Sequence, residues 1–128
     1  MNSTDKQKIG QLGEDLACEY LVENRYKIIE RNYRKPWGEI DIIAKDPDRT
    51  LVFVEVKTLQ KTGASNQLKP EDQLTRAKLN KLSRTASIYA NNNQKLIKEA
   101  KGWRIDLVAI TLDNADNPTI SHYKNMAI

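Results

Sequence analysis

Residues 51–58 read LVFVEVKT, a valine-rich run with a glutamate and a lysine near its end. Its β-branched content marks it as the clearest strand in the chain. Side chains alternate across a strand, so Val52, Val54 and Val56 share one face and Phe53, Glu55 and Lys57 share the other. The valine face is ordinary core. The other face holds a carboxylate and an ammonium about 7 Å apart along the strand. Under a covering helix, each charge left unpaired would cost several kcal/mol. Such a face is tolerated when its charges are paired, edge-exposed or bound to a metal.

A second strand, EIDIIA at 39–44, supplies a partner. Regular alternation would put Glu39, Asp41 and Ile43 on one face and Ile40, Ile42 and Ala44 on the other. A hairpin through the turn DPDRT (46–50) would bring Asp41 near Glu55. Two carboxylates that close repel, and each raises the other's pKa. A hard divalent cation such as Mg²⁺ removes that penalty, since it takes oxygen ligands and keeps several waters. Lys57 would then face a metal-activated water or the scissile phosphate. A solvated strand face with an ordinary cross-strand pair accounts for Glu55 and Lys57 equally simply.

A first helix spans roughly 5–24, with Ser3 or Thr4 as its cap and Ile9, Leu12, Leu16 and Tyr20 as its apolar stripe. Glu14 borders the buried side of that helix. A strand at 26–34 and the turn Lys35-Pro36-Trp37-Gly38 precede the second strand. Residues 59–70 read as a loop, and a second long helix follows at about 71–91, with Leu79, Leu82, Ala86 and Tyr89 on its apolar side. Asn91-Asn92-Asn93 ends or interrupts it. Strands at 103–112 and 119–124 close the chain. The expected order is α-β-β-β-α-β-β in a single α/β domain spanning 1–128. Short turns make the first three strands an antiparallel meander. A crossover then adds the fourth, giving a mixed central sheet flanked by helices.

Charge is unevenly spread. Residues 1–56 carry 9 basic and 11 acidic groups, residues 57–104 carry 11 and 3, and residues 105–128 carry 1 and 3. A basic middle beside a carboxylate cluster suits a phosphate-bearing polymer and a metal. A solvated helix face would carry the same charges. Cys18 is the only cysteine, which excludes an internal disulfide and a cysteine-built zinc site. No apolar run is long enough to cross a membrane, and the polar N-terminus lacks a signal-peptide core. The expected compartment is the cytoplasm. His122 is the only histidine and has no serine or cysteine partner in view. Trp37, at a turn tip, can stack on a base or simply pack, and Trp103 opens a strand as a core residue.

The segments GQLGEDLACEYL, NYRKPWGEIDIIA, LVFVEVKT, KLNKLSRTASIYA and WRIDLVAI resemble the YraN-like family of predicted endonucleases. That family is similar to the archaeal Holliday-junction resolvases and shares the restriction-endonuclease-like PD-(D/E)xK fold. The resemblance implies catalytic roles for Glu14, Asp41, Glu55 and Lys57. Asp41 and Glu55 would bind Mg²⁺ or Mn²⁺ with the Val56 carbonyl, and Glu14 would hold metal or position a ligand. Lys57 would orient the attacking water and stabilise phosphate charge. Lys78, on the second helix, matches a basic position near the site. With Arg76, Lys81, Arg84 and Trp37 it forms the expected nucleic-acid surface. Two positions depart from the pattern: Ile40 stands where related nucleases have proline, and Leu59 where the family tends to have arginine. The implied activity is metal-dependent hydrolysis of DNA, with branched or flapped forms among the candidate substrates. A homodimer is compatible with it, since junction cutting needs two sites. The alternatives are a nucleic-acid-binding module with weak or no catalysis, and a scaffold whose charges are structural.

Overall fold

A computed structural model of the chain describes residues 3–60, 74–112 and 117–126, with side chains from residue 5 onward. The expected cap at Ser3 or Thr4, most of the expected loop at 59–70 and the first residues of the expected second helix lie outside what is described. Helix α1 is Ser3–Glu23, followed by strands β1 (Lys27–Lys35), β2 (Gly38–Lys45) and β3 (Leu51–Gln60). Helices α2 (Arg76–Asn92) and α3 (Gln94–Glu99) precede β4 (Trp103–Leu112) and β5 (Thr119–Tyr123). The five strands form one mixed sheet in the order β1-β2-β3-β4-β5. Strands β1 to β3 are an antiparallel meander, β4 joins β3 in parallel, and β5 returns antiparallel to β4. The chain is thus a mixed α/β protein, and among the described residues the expected second helix is split in two. Asn93 is the cause: its φ of −134° and ψ of 52° break the helical path between α2 and α3.

Two apolar layers sandwich the sheet. On one face Leu79, Leu82, Ala86 and Tyr89 of α2 meet Ile43, Phe53, Ile105 and Leu107. On the other, Ala17 and Leu21 of α1 meet Ile42, Val52, Val54, Val108 and Ile110. The valine face of β3 is therefore core, as alternation requires. Thr75 caps α2 by accepting a hydrogen bond from the Lys78 amide.

The buried face of α1 is not the expected stripe. Gly13, Glu14, Ala17 and Leu21 are buried, whereas Leu12 is exposed and Ile9, Leu16 and Tyr20 are only partly covered. The reason is close approach. A Cβ on Gly13 would lie 1.8 Å from the Thr58 hydroxyl and 2.8 Å from its Cβ. Small residues let the helix sit low on β3, so the contact face is marked by size rather than by hydrophobicity.

Regular alternation also fails in β2. Ile40 joins Ile43 on the α2 face, while Ile42 and Ala44 lie on the α1 face. Strand β1 changes sides at the same level: Tyr33 packs on the α2 face, while Arg31 bonds to Glu14 and Asp15 of α1. The pairs Arg31↔Ile42 and Tyr33↔Ile40 bracket the step, which sets Asn32 opposite Asp41. Asn32 has φ 54°, a left-handed conformation that asparagine tolerates better than most residues.

At the other end of the sheet a buried polar network fastens the strands. Asp106 is fully buried and accepts from Arg104 Nε at 2.9 Å, His122 Nε2 at 2.7 Å and the Asn125 amide at 2.9 Å. Arg104 also donates to Asp46, in the turn between β2 and β3, and the Tyr20 hydroxyl meets His122 Nδ1 at 2.9 Å. The lone histidine is thus a packed structural residue.

Candidate functional site

The ladder between β2 and β3 runs from Lys45↔Leu51 to Ile42↔Val54 and then stops. Beyond that rung the strands part, and the next residues are Asp41 and Glu55. The Asp41 side chain takes up the backbone group that the parting frees: Oδ2 accepts from the Val56 amide at 2.8 Å. The Glu55 carboxyl also hydrogen-bonds to Asp41. Burial first, then this hydrogen bond and the charges of Asp41 and Glu39, push the Glu55 carboxyl up to about 8, against the opposing pull of Lys57. Asp41, Glu55 and Lys57, all half-buried, are therefore brought together at one split in the sheet.

Beside the split lies a cavity of about 890 Å³ between the N-terminal half of α1 and strands β1 to β3. Asp41, Val56, Lys57 and Glu14 line it. Glu14 is 8% exposed, and Arg31 Nη2 holds its carboxylate at 3.2 Å, with Asp15 at 2.7 Å as the second partner. Glu14 shares the cavity with Asp41 but is committed to Arg31. Among the described residues, no group of three or more histidine, cysteine, aspartate or glutamate side chains is placed to hold a metal.

The donor set at the split nonetheless fits a hard cation. Burial and the neighbouring Asp41 carboxyl raise the Glu55 pKa, and a divalent ion between the two would satisfy the same oxygens and favour the ionised form. Asp41 Oδ1, the Glu55 carboxylate and the Val56 carbonyl are the groups that could hold Mg²⁺ or Mn²⁺ there.

The expected nucleic-acid residues fall elsewhere. Arg76, Lys78, Lys81 and Arg84 are exposed on α2, across the sheet from α1, and none of them lines the cavity. Helix α2 contains no acidic residue, and none of these cations has an ion-pair partner among the described residues. Trp37 is 45% exposed at the tip between β1 and β2. The cavity brings its own cations: Lys6 from α1 and Arg34 from β1, the latter 3.8 Å from Glu39. The low seating of α1 brings Lys6 to the split, and the pairing of β1 with β2 brings Asn32 and Arg34.

A family model described as "Uncharacterised protein family UPF0102" matches residues 13–110, a span that includes Glu14, Asp41, Glu55 and Lys57. A UPF0102 protein of Trichlorobacter lovleyi is 37% identical over 119 residues, covering 93% of this chain and 89% of that protein. One from Geobacter sulfurreducens is 41% identical over 117 residues, covering 91% and 86%. One from Thermotoga maritima is 41% identical over 104 residues, covering 81% and 87%. The chain belongs to the UPF0102 family. No helix among the described residues is long and apolar enough to cross a membrane.

Proposed function

We propose that this protein is a metal-dependent nuclease that hydrolyses DNA phosphodiester bonds, with a restriction-endonuclease-like core and with branched or flapped DNA among its substrates. One observation carries the reading: Asp41 and Glu55 meet where β2 and β3 part, with Lys57 two residues beyond. A structural ion pair would not need two half-buried carboxyls in contact, which is a net cost to folding. Functional sites accept such costs.

Asp41, Glu55 and the Val56 carbonyl would hold Mg²⁺ or Mn²⁺, which when bound offsets phosphate charge and lowers the pKa of water. Asp41 is fixed in place by the Val56 amide, so its free oxygen is pre-aimed. The Lys57 ammonium would face the phosphate and stabilise the negative charge that develops as water adds to phosphorus and the leaving oxygen departs. The cations of α2 would hold the DNA backbone away from the reacting centre, giving salt-dependent binding.

The test is cleavage of duplex, single-stranded, flapped and four-way-junction DNA with Mg²⁺ or Mn²⁺, comparing wild type with Asp41→Ala and Lys57→Ala. Cleavage by wild type and its loss in both variants is expected. A nucleic-acid-binding module without catalysis is the second reading, favoured by the engagement of Glu14 with Arg31 and the lack of a third free acid at the split among the described residues. Equal inertness of all three proteins, with DNA binding retained, would decide for it.

A further inference from the structure

The sheet-facing side of α1 changes character along its length. Its C-terminal half is filled by Gly13, Ala17 and Leu21 against the strands. One turn earlier the same side presents Lys6, Gln7 and Gly10, and these line the cavity of about 890 Å³. A Cβ on Gly10 would meet nothing within 4 Å. Glycine is disfavoured inside a helix. Here neither packing nor a positive φ requires it. Gly10 thus leaves open space at the cavity wall.

The rest of the lining is amide-rich. Gln7, Gln11, Asn32 and Gln60 contribute carboxamides, the Gln11 amide donating to Asp15, and Lys6, Arg34 and Lys57 contribute positive charge, with Asp41 and Glu14 as the acids. Carboxamides both donate and accept, which matches the edges of nucleobases, while the cations suit phosphate. The volume lies in the range of about 300–1,000 Å³ typical of sites for small organic ligands. That accommodates one or two splayed nucleotides. A duplex does not present such a nucleotide unless its pairing and stacking are broken, which costs free energy. Asn32 lies between the paired residues Arg31 and Tyr33, across from Asp41, so the amide wall and the Asp41 carboxyl are parts of one surface.

We propose that this cavity receives an unpaired nucleotide of the strand being cut, entering under α1 beside Asp41. The duplex portion of the substrate lies on the cations of α2. This inference rests on the nuclease reading for the identity of its neighbour, the scissile phosphate. The cavity, not the metal, would then select DNA that is frayed, flapped or branched at the cleavage point.

The test separates the two claims by measuring binding without metal. Anisotropy of a short labelled oligothymidylate and of a blunt duplex is followed in EDTA for wild type, Gly10→Ala, Gly10→Met and Asn32→Gly. Gly10→Met places a long side chain at the cavity wall, Gly10→Ala adds one methyl group, and Asn32→Gly removes an amide while keeping the left-handed backbone. Gly10→Met and Asn32→Gly are expected to weaken oligothymidylate binding about tenfold or more, while Gly10→Ala stays within about threefold of wild type. Duplex binding should be the same in all four proteins. Melting temperatures of both Gly10 variants at or above wild type would show that the fold is intact, since both replace a helical glycine. Unchanged oligothymidylate binding by Gly10→Met, or an equal loss of duplex binding, overturns the proposal. The nuclease reading fails on a different result, absence of metal-dependent cleavage, which leaves these binding differences in place.

Discussion

Asp41 Oδ2 accepts the Val56 amide at 2.8 Å, and this one bond ties the end of β2 to β3 after their ladder has stopped. It satisfies a backbone donor that the parting strands would leave unpaired. It also leaves the other Asp41 oxygen for the Glu55 carboxyl or for a cation. The site is held by backbone geometry on one side and by shared charge on the other.

That shared charge sets a pH dependence. The folded pKa of Glu55 is raised to about 8, above its unfolded value near 4.5. Below about pH 4 the carboxyl is protonated in both states and costs nothing. As pH rises, the unfolded chain ionises first, so stability falls until Glu55 ionises in the folded protein near pH 8. Glu55→Gln cannot ionise and keeps a donor toward Asp41. In metal-free protein it should gain on the order of several kcal/mol at and above pH 8 and almost nothing at pH 4. Urea unfolding at the two pH values measures the difference. Adding Mn²⁺ should then raise the melting temperature of wild type more than that of the variant. An equal gain would argue against Glu55 as a ligand.

Lys57 makes a sharper prediction about chemistry. Lys57→Ala should lower cleavage by about a hundredfold or more while leaving duplex affinity within about twofold, because its partner is charge that develops during reaction. Lys57→Arg keeps the charge on a larger, planar head and should restore only part of the rate. Single-turnover rates at saturating protein separate this from a binding defect. A loss confined to affinity would make Lys57 a backbone contact instead.

The α2 cations should behave differently. Arg76→Ala, Lys81→Ala and Arg84→Ala should each weaken duplex binding irrespective of sequence. Each should also flatten the slope of log affinity against log salt, by about 0.9 for every phosphate that is no longer neutralised. Rates at saturating protein should hold. A salt titration that gives wild-type slopes for all three would remove this face from the DNA path.

The chemistry of the split was legible because it rests on a period of two. Alternation in LVFVEVKT paired Glu55 with Lys57, and one short turn brought Asp41 to them. The cavity was hidden. Its wall on α1 depends on Gly13 letting the helix sink onto Thr58, and glycine and alanine leave little trace in a hydrophobic pattern. The change of face at Asn32 and Asp41 was hidden for a related reason, since a left-handed asparagine inside a strand looks like any polar strand residue. Periodicity therefore set Asp41 beside Glu55 and made β2 one face too regular, while charge and resemblance pointed to α2 and Trp37 as the substrate surface and missed the cavity.

Acid stability should depend on the other end of the sheet. Burial acts to raise the Asp106 carboxyl, but hydrogen bonds from His122, Arg104 and the Asn125 amide outweigh it and hold the group below the usual carboxylate range. A depressed folded pKa gives stability that is present above the unfolded value, near 3.9, and is lost as pH falls through the folded one. Asp106→Asn leaves Arg104 and His122 short of a partner and should cost about 3–5 kcal/mol at neutral pH. Below the folded pKa of Asp106 the two proteins should converge. Parallel denaturation curves at neutral and acid pH would test it, and a constant difference between the proteins would show that packing, not charge, holds the network.

Gly10 and Gly13 lie three residues apart on α1 and should respond in opposite directions to the same change. Alanine at Gly10 meets open space, so only helix propensity acts, and stability should rise by up to about 1 kcal/mol. Alanine at Gly13 would drive its Cβ into Thr58 Oγ1, with Thr58 Cβ at 2.8 Å behind it. Rotating the hydroxyl away does not relieve the second clash, so α1 must lift from β3. The expected cost is about 1–3 kcal/mol, despite the gain in helix propensity. Thr58→Gly should recover part of that loss in the double variant, because it removes all three colliding atoms, Oγ1, Cβ and Cγ2, and leaves the helix seated low. Thermal unfolding of the four proteins closes the cycle. Equal and favourable effects at both glycines would mean that α1 does not approach β3 this closely, and that the cavity beneath its N-terminal half is not bounded as described.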